Sequence, residues 1–270
     1  AHSILPSSAG GLMDVQLKNA IVEVGINARG LCMDWDVHTT LAMVHTYPDG
    51  DRDFSFYRNP GADMMLREDE LDEKALENTR IFHFGTLSMT DPEVRKATKK
   101  AVGIAKESGA VISFDPNLRP PLWKSMDDAK EQTAYGLSQC DILKISDNEL
   151  QWFTGEIELD AGIRRLKEQY DIPLILLSMG KDGSRAYCQD LRVEVKPFLQ
   201  KNTIETTGAG DTFCACCLYH VLQCGLENLD EQNLTQMLTF ANATTSIITT
   251  RKGALRVMPS MEEAEALINQ

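Results

Sequence analysis

No stretch of this 270-residue chain approaches the about 20 consecutive apolar residues that a membrane-spanning helix requires. The opening AHSILPSSAGGL has neither the basic start nor the apolar run of a secretory signal. Positive charge is in deficit: 27 Lys and Arg stand against 40 Asp and Glu, for a net charge of −13. A nucleic-acid or anionic-membrane binder needs the opposite sign across its footprint, so neither partner is expected. None of the five histidines falls in a metal-ligand spacing such as HExxH. The cysteine count of seven is odd, which argues against a secreted disulfide framework. Cys214, Cys216 and Cys217 crowd one apolar stretch with no histidine pair after them, and read as core packing rather than a metal site. No internal repeat, low-complexity tract or interdomain linker interrupts the chain. These absences leave a soluble protein of a reducing compartment, expected in the cytoplasm.

What is present is an α/β rhythm. QLKNAIVEVGI has helical periodicity and ends at Gly25. LAMVHTY and DFSFYR alternate polar and apolar residues about the turn residues Pro48, Asp49 and Gly50, which predicts a hairpin with one covered face. After Arg80 the short apolar runs IFHFG, AVISF, DILKI and PLILLS are separated by helix-like stretches, the pattern of a mostly parallel sheet covered by helices. Asp211–Leu226 and Asp230–Thr250 read as two packed helices. The expectation is one α/β domain over residues 1–270, with a small β lid at about 39–60.

The most informative stretch is Glu205-Thr-Thr-Gly-Ala-Gly-Asp211, a glycine-rich turn that opens straight into a helix. Gly208 and Gly210 permit close backbone approach, and their amides at a helix start make a site for an anion or for developing negative charge. Taken alone, Asp211 also reads as a simple helix cap. It is not a P-loop, since GxxxxGK[ST] occurs nowhere. Ser113-Phe-Asp-Pro-Asn-Leu-Arg119 follows an apolar run, so Asp115, Asn117 and Arg119 sit at a strand's carboxyl end, where open α/β sheets bind ligands. An Asp–Arg loop brace is the alternative there.

TTGAGD resembles the DTxGAGD signature of the ribokinase-type (PfkB) sugar kinases, and the resemblance runs from about Gln16 to the C-terminus in the family's order. It implies a ribokinase-like three-layer α/β sandwich and transfer of a phosphoryl group from Mg-ATP to a sugar primary hydroxyl. RNPGAD and DPNLRPPLW look fructokinase-like, which points to D-fructose and fructose 6-phosphate. By resemblance Asp211 is the base, and Gly208, Ala209 and Gly210 stabilise the phosphoryl group in flight, with Arg119 bracing it. Phe56 and Arg58 would face the sugar from the lid, with Asp115 and Asn117 beside it and Asp63 meeting a hydroxyl. The alternative for Arg58 is a solvated strand-end cation. Lys144-Ile-Ser-Asp-Asn-Glu149 resembles the family's N-x-x-E element, which implies Lys144 at a phosphate and Glu149 holding hydrated Mg²⁺. A plain strand followed by an acidic helix start is the alternative. Ser178, Gly180 and Gly183, in SMGKDG, with Thr207, Asn242 and Gly253, match the nucleotide-enclosing region. A hairpin turn at SMGKDG and helix packing at Asn242 remain equally good physics. The family's monovalent-cation site is put in question by Glu205, where the pattern commonly has Asp. Pairing of lids between subunits would make a homodimer.

A family member starts with a strand carrying a Gly and a substrate-contacting Asp, then a GG-x-x-x-N segment, and neither is recognisable here. Residues 1–12 read as unrelated, vector-derived or substituted, and Gly10-Gly11 is too short to stand for the sugar motif. Alternatives to a fructokinase are a 2-keto-3-deoxygluconate or other PfkB-type sugar kinase, a catalytically impaired nucleotide-binding relative, and a structural α/β subunit completed by another chain.

Overall fold

A computed structural model describes residues 7–9, 12–46 and 52–270. The turn expected at Pro48, Asp49 and Gly50 lies outside the described residues, as do Gly10, Gly11 and the first six positions. The chain forms two compact units, Ala1–Ala110 with Leu118–Gln132, and Val111–Asn117 with Thr133–Gln270.

In the first unit, β1 (Ser7–Ala9) pairs in parallel with β2 (Leu31–Met33), and α1 (Leu12–Glu23) lies between them in sequence. Gly25 follows α1 with φ +83°, a left-handed conformation that ends a helix at little steric cost. β3 (Leu41–Thr46) and β4 (Arg52–Tyr57) form the expected antiparallel ribbon, with Leu41 opposite Tyr57 and Ala42 opposite Phe56. Leu41, Met43, Val44 and Tyr57 are exposed, while Phe56, on the same face as Ala42 and Val44, is half-buried. After α2 (Glu73–Glu77) and β5 (Ile81–Gly85) comes α3 (Pro92–Glu107). The α3 start combines Pro92 in its first turn with the Asp91 carboxylate accepting the Glu93 N–H. Val94, Ala97, Thr98, Ala101, Val102 and Ala105 make its buried stripe, and Val94 and Ala97 pack with Leu66. α4 (Met126–Gln139) begins in this unit, and its residues from Thr133 on belong to the second.

The second unit supplies β6 (Val111–Asp115), β7 (Ile142–Ser146), β8 (Leu174–Ser178), β9 (Ser184–Cys188) and β10 (Leu191–Val195). They lie side by side in the order β10, β9, β8, β7, β6. β6, β7 and β8 are parallel, β9 runs antiparallel to β8, and β10 is antiparallel to β9. The parallel strands are apolar on both faces, with Ile112, Phe114, Ile142, Leu143, Ile145 and Leu174–Leu177 fully buried. α5 (Asp147–Thr154), α6 (Leu159–Gln169), α7 (Ala209–Cys224), α8 (Glu231–Ile248) and α9 (Met261–Ile268) complete the unit. α7 and α8 pack together as their small residues suggest, and Cys214 and Cys217 are buried free thiols. Among the described residues no helix is long and apolar enough to cross a membrane.

Candidate active site

The glycine-rich turn forms as its composition demands. Gly208 caps α7 with φ +74°, and an added Cβ would stand 3.1 Å from the Ala254 Cβ. α7 then begins at Ala209, which puts Asp211 in its first turn, exposed to solvent. A carboxylate there is favoured by the helix dipole. The Ala209 N–H donates to the Thr206 carbonyl at 3.2 Å, while the Gly210 and Asp211 amides belong to the first helical turn, which lacks carbonyl partners within the helix. The turn thus offers donors and an accessible carboxylate side by side.

Behind it lies a buried ion pair. The Lys144 ammonium meets Asp115 Oδ2 at 2.9 Å, with both side chains almost wholly out of solvent. Asp115 Oδ1 accepts the Asn117 N–H at 3.1 Å, and Asn117 adopts φ +43°. Burial pushes the Asp115 carboxyl up to about 6; Lys144 pulls it down, and the Glu149 and Asp211 carboxylates push it up further. Burial lowers Lys144, but the Asp115 and Glu149 carboxylates outweigh it and the ammonium is held above its ordinary value. Cys214, one turn into α7, faces the same cluster, and burial, followed by Asp115, pushes its thiol up. The motifs alone do not announce this pairing. The signal that carries it is register: Ser113 lies beside Ile142 and Phe114 beside Leu143, so the next step places Asp115 beside Lys144.

Ser146 and Ser178 end two adjacent parallel strands and lie opposite each other, at the carboxyl edge where such sheets bind ligands. Ser146 caps α5, and Glu149 Oε2 accepts both its N–H at 2.9 Å and its O–H at 2.8 Å. The capping box of a helix start is therefore present, and it fixes the carboxylate at the strand end. Among the described residues no three His, Cys, Asp or Glu side chains gather as a metal cage. An oxygen-only site resting on one carboxylate fits Mg²⁺, which keeps several waters and leans on substrate phosphates.

Other expected positions lie in turns and helix contacts of the second unit. Gly180 and Gly183 form the tight turn between β8 and β9, so the hairpin alternative describes their geometry. A Cβ on Gly183 would stand 2.3 Å from the Val195 carbonyl. The Asn242 side chain donates to the Val195 and Lys196 carbonyls at 3.2 Å each and accepts from the Ser184 hydroxyl at 2.9 Å, which is the packing geometry. Gly253 donates its N–H to Glu205. Thr207 is half-buried in the turn.

The first unit carries Phe56, Arg58 and Arg119. Phe56 is half-buried on β4. Arg58 is not a solvated strand-end cation: its side chain is 4% exposed, and it bonds Asp63 at 2.7 Å, Thr90 at 2.8 Å and the Leu87 carbonyl at 3.0 Å. Asp63 uses its other oxygen on the Thr40 hydroxyl. Arg119 is half-buried and donates to the Leu118 carbonyl at 3.1 Å.

A mostly parallel sheet with a glycine turn and a carboxylate at the start of α7 is the setting of a ligand site in an α/β enzyme. The pfkB family carbohydrate kinase model matches residues 10–261, and the chain belongs to that family. The match begins ahead of Gln16, where the sequence motifs first become readable. "Probable fructokinase-4" of Arabidopsis thaliana is 37% identical over 252 residues, covering 93% of this chain and 77% of that protein. Fructokinase-2 of Solanum lycopersicum is 37% identical over 244 residues, covering 90% and 74%. The crystal structure of a fructokinase with bound ATP from Xylella fastidiosa matches with a TM-score of 0.87 and 29% identity, covering 97% of this chain and 84% of that one. The fold is the ribokinase-like α/β sandwich with a small lid.

Proposed function

We propose that this chain transfers the terminal phosphoryl group of ATP to a sugar primary hydroxyl, with D-fructose as the sugar. The observation that carries the reading is Asp211, an exposed carboxylate in the first turn of α7 immediately after the left-handed Gly208. Asp211 accepts the hydroxyl proton as the sugar oxygen bonds to phosphorus and the bond to the departing ADP breaks. The amides of the Gly208–Gly210 turn stabilise the charge spread over the phosphoryl oxygens, which is what this loose transfer most requires. Glu149 would hold Mg²⁺ through water, and that ion would supply charge neutralisation on the phosphates. Asn117 and Arg119 enter this reading through DPNLR, and Phe56 through its place on β4 two residues ahead of RNPGAD. Fructose is favoured because the similar proteins named above are fructokinases.

Coupled ADP release in the presence of ATP, Mg²⁺ and fructose tests this, with Asp211→Asn beside the unaltered chain. Fructose-dependent turnover that Asp211→Asn abolishes supports the reading. Equal rates in the two proteins would remove Asp211 as the base, and preference for 2-keto-3-deoxygluconate would replace the sugar.

A further inference from the structure

We infer that Asp115 and Lys144 act as one buried charge clamp beneath the catalytic turn, Asp115 being a positioning residue that holds the Lys144 ammonium behind Gly210 rather than a ligand of the sugar. The inference rests on the kinase reading and concerns the same site. A sugar ligand needs a carboxylate oxygen open to the cleft. Asp115 is 3% exposed, and both its oxygens are engaged, one by Lys144 and one by the Asn117 N–H. The Lys144 ammonium stands 3.3 Å from the point a Cβ on Gly210 would occupy. A Cβ there would make a tight contact with the ammonium, which places Lys144 directly behind the turn.

The surrounding charges make the pair necessary. Glu149 on α5 and Asp211 and Cys214 on α7 face it, with Ser113 on β6 beside Cys214. In that cluster Lys144 is the cation facing the Asp115, Glu149 and Asp211 carboxylates. A lone ammonium at a helix N-terminus would be unfavourable, and Asp115 offsets it. When negative charge develops on the phosphoryl group at the turn, a positive charge already fixed behind Gly210 stabilises it without reorganisation. The positions of both titrations fit this: burial lifts Asp115, and Lys144 stays charged despite its own burial.

The test compares Asp115→Asn, Lys144→Met and the double variant by steady-state ADP release and by thermal unfolding. Each single change is expected to lower kcat by about a hundredfold while the fructose KM stays within about threefold. The double variant is expected to be no slower than the worse single variant, because the two residues act as a unit. A fructose KM raised about tenfold or more in Asp115→Asn, with kcat retained, would make Asp115 a sugar ligand and overturn the clamp. Losses that multiply in the double variant would also overturn it. If the unaltered chain turns over no sugar, the kinase reading fails by itself, and unfolding then reads the clamp alone. The double variant should melt above both single variants, since removing one partner strands a buried charge. A double variant that melts lower by the sum of the two single losses, or is insoluble while the singles fold, would refute it.

Discussion

Glu205 Oε1 accepts the backbone N–H of Gly253 at 2.6 Å, a contact spanning 48 residues of sequence. The Ile204 and Glu205 amides donate to the Thr249 carbonyl at 2.8 and 3.2 Å, so the segment entering the glycine turn is stitched to the chain leaving α8. A hydrogen bond to a charged group contributes about 1.5–3 kcal/mol. Glu205→Ala is expected to cost about 2 kcal/mol and to lower Tm by about 4–8 °C, while Glu205→Gln, which keeps an acceptor, loses less. Calorimetry checks this, and unchanged melting of the alanine variant would dismiss the tie.

Gly183 and Gly155 both have positive φ, at +96° and +77°, but only Gly183 faces an obstacle. A Cβ there would lie 2.3 Å from the Val195 carbonyl, whereas one on Gly155 would meet nothing within 4 Å. Gly155→Ala is expected to cost about 1 kcal/mol, the penalty of the left-handed conformation alone. Gly183→Ala adds a backbone clash and should cost about 3 kcal/mol or more. Urea unfolding of both variants tests the contrast, and equal losses would show that β10 yields freely at this point.

The sequence made the parallel strands and α7 legible because their signals are local: an apolar run of strand length, or glycines directly before a helical pattern. Asp211 at the head of α7 is readable for the same reason. β9 and β10 are of the same length but mixed in composition, and only the alternation in LRVEV hints at a strand. What stayed hidden is the identity of distant partners. Asn242 contacts Ser184 from 58 residues away, and Arg58 reaches Thr90 across 32. No local pattern specifies such pairs. Asp115 and Lys144 are an intermediate case, since the sheet order and register together yield their pairing.

Arg58 braces a corner of the first unit by holding Asp63, Thr90 and the Leu87 carbonyl at once. Lysine is a point charge and cannot satisfy that fork. Arg58→Lys is therefore expected to lower stability by about 2–3 kcal/mol, somewhat under the loss for a fully buried pair because Asp63 is partly exposed. The fructose KM should hardly change. A large rise in KM with unaltered melting would instead make Arg58 a sugar contact, as its motif first suggests.

Asp115 also predicts a pH dependence of stability. Its folded pKa of about 6 lies above the ordinary 3.8, so between those values the native state binds more protons than the unfolded chain. The contribution of this group is fully present below the unfolded value and is lost as pH rises through the folded one. Asparagine does not titrate. The stability of the unaltered chain minus that of Asp115→Asn should therefore fall as pH rises from about 4.5 to about 7. Urea unfolding of the two proteins across that range reads the difference directly. A difference that grows with pH would mean that Lys144 dominates burial and depresses the Asp115 pKa, so that the pair carries its full charge well into the acid range.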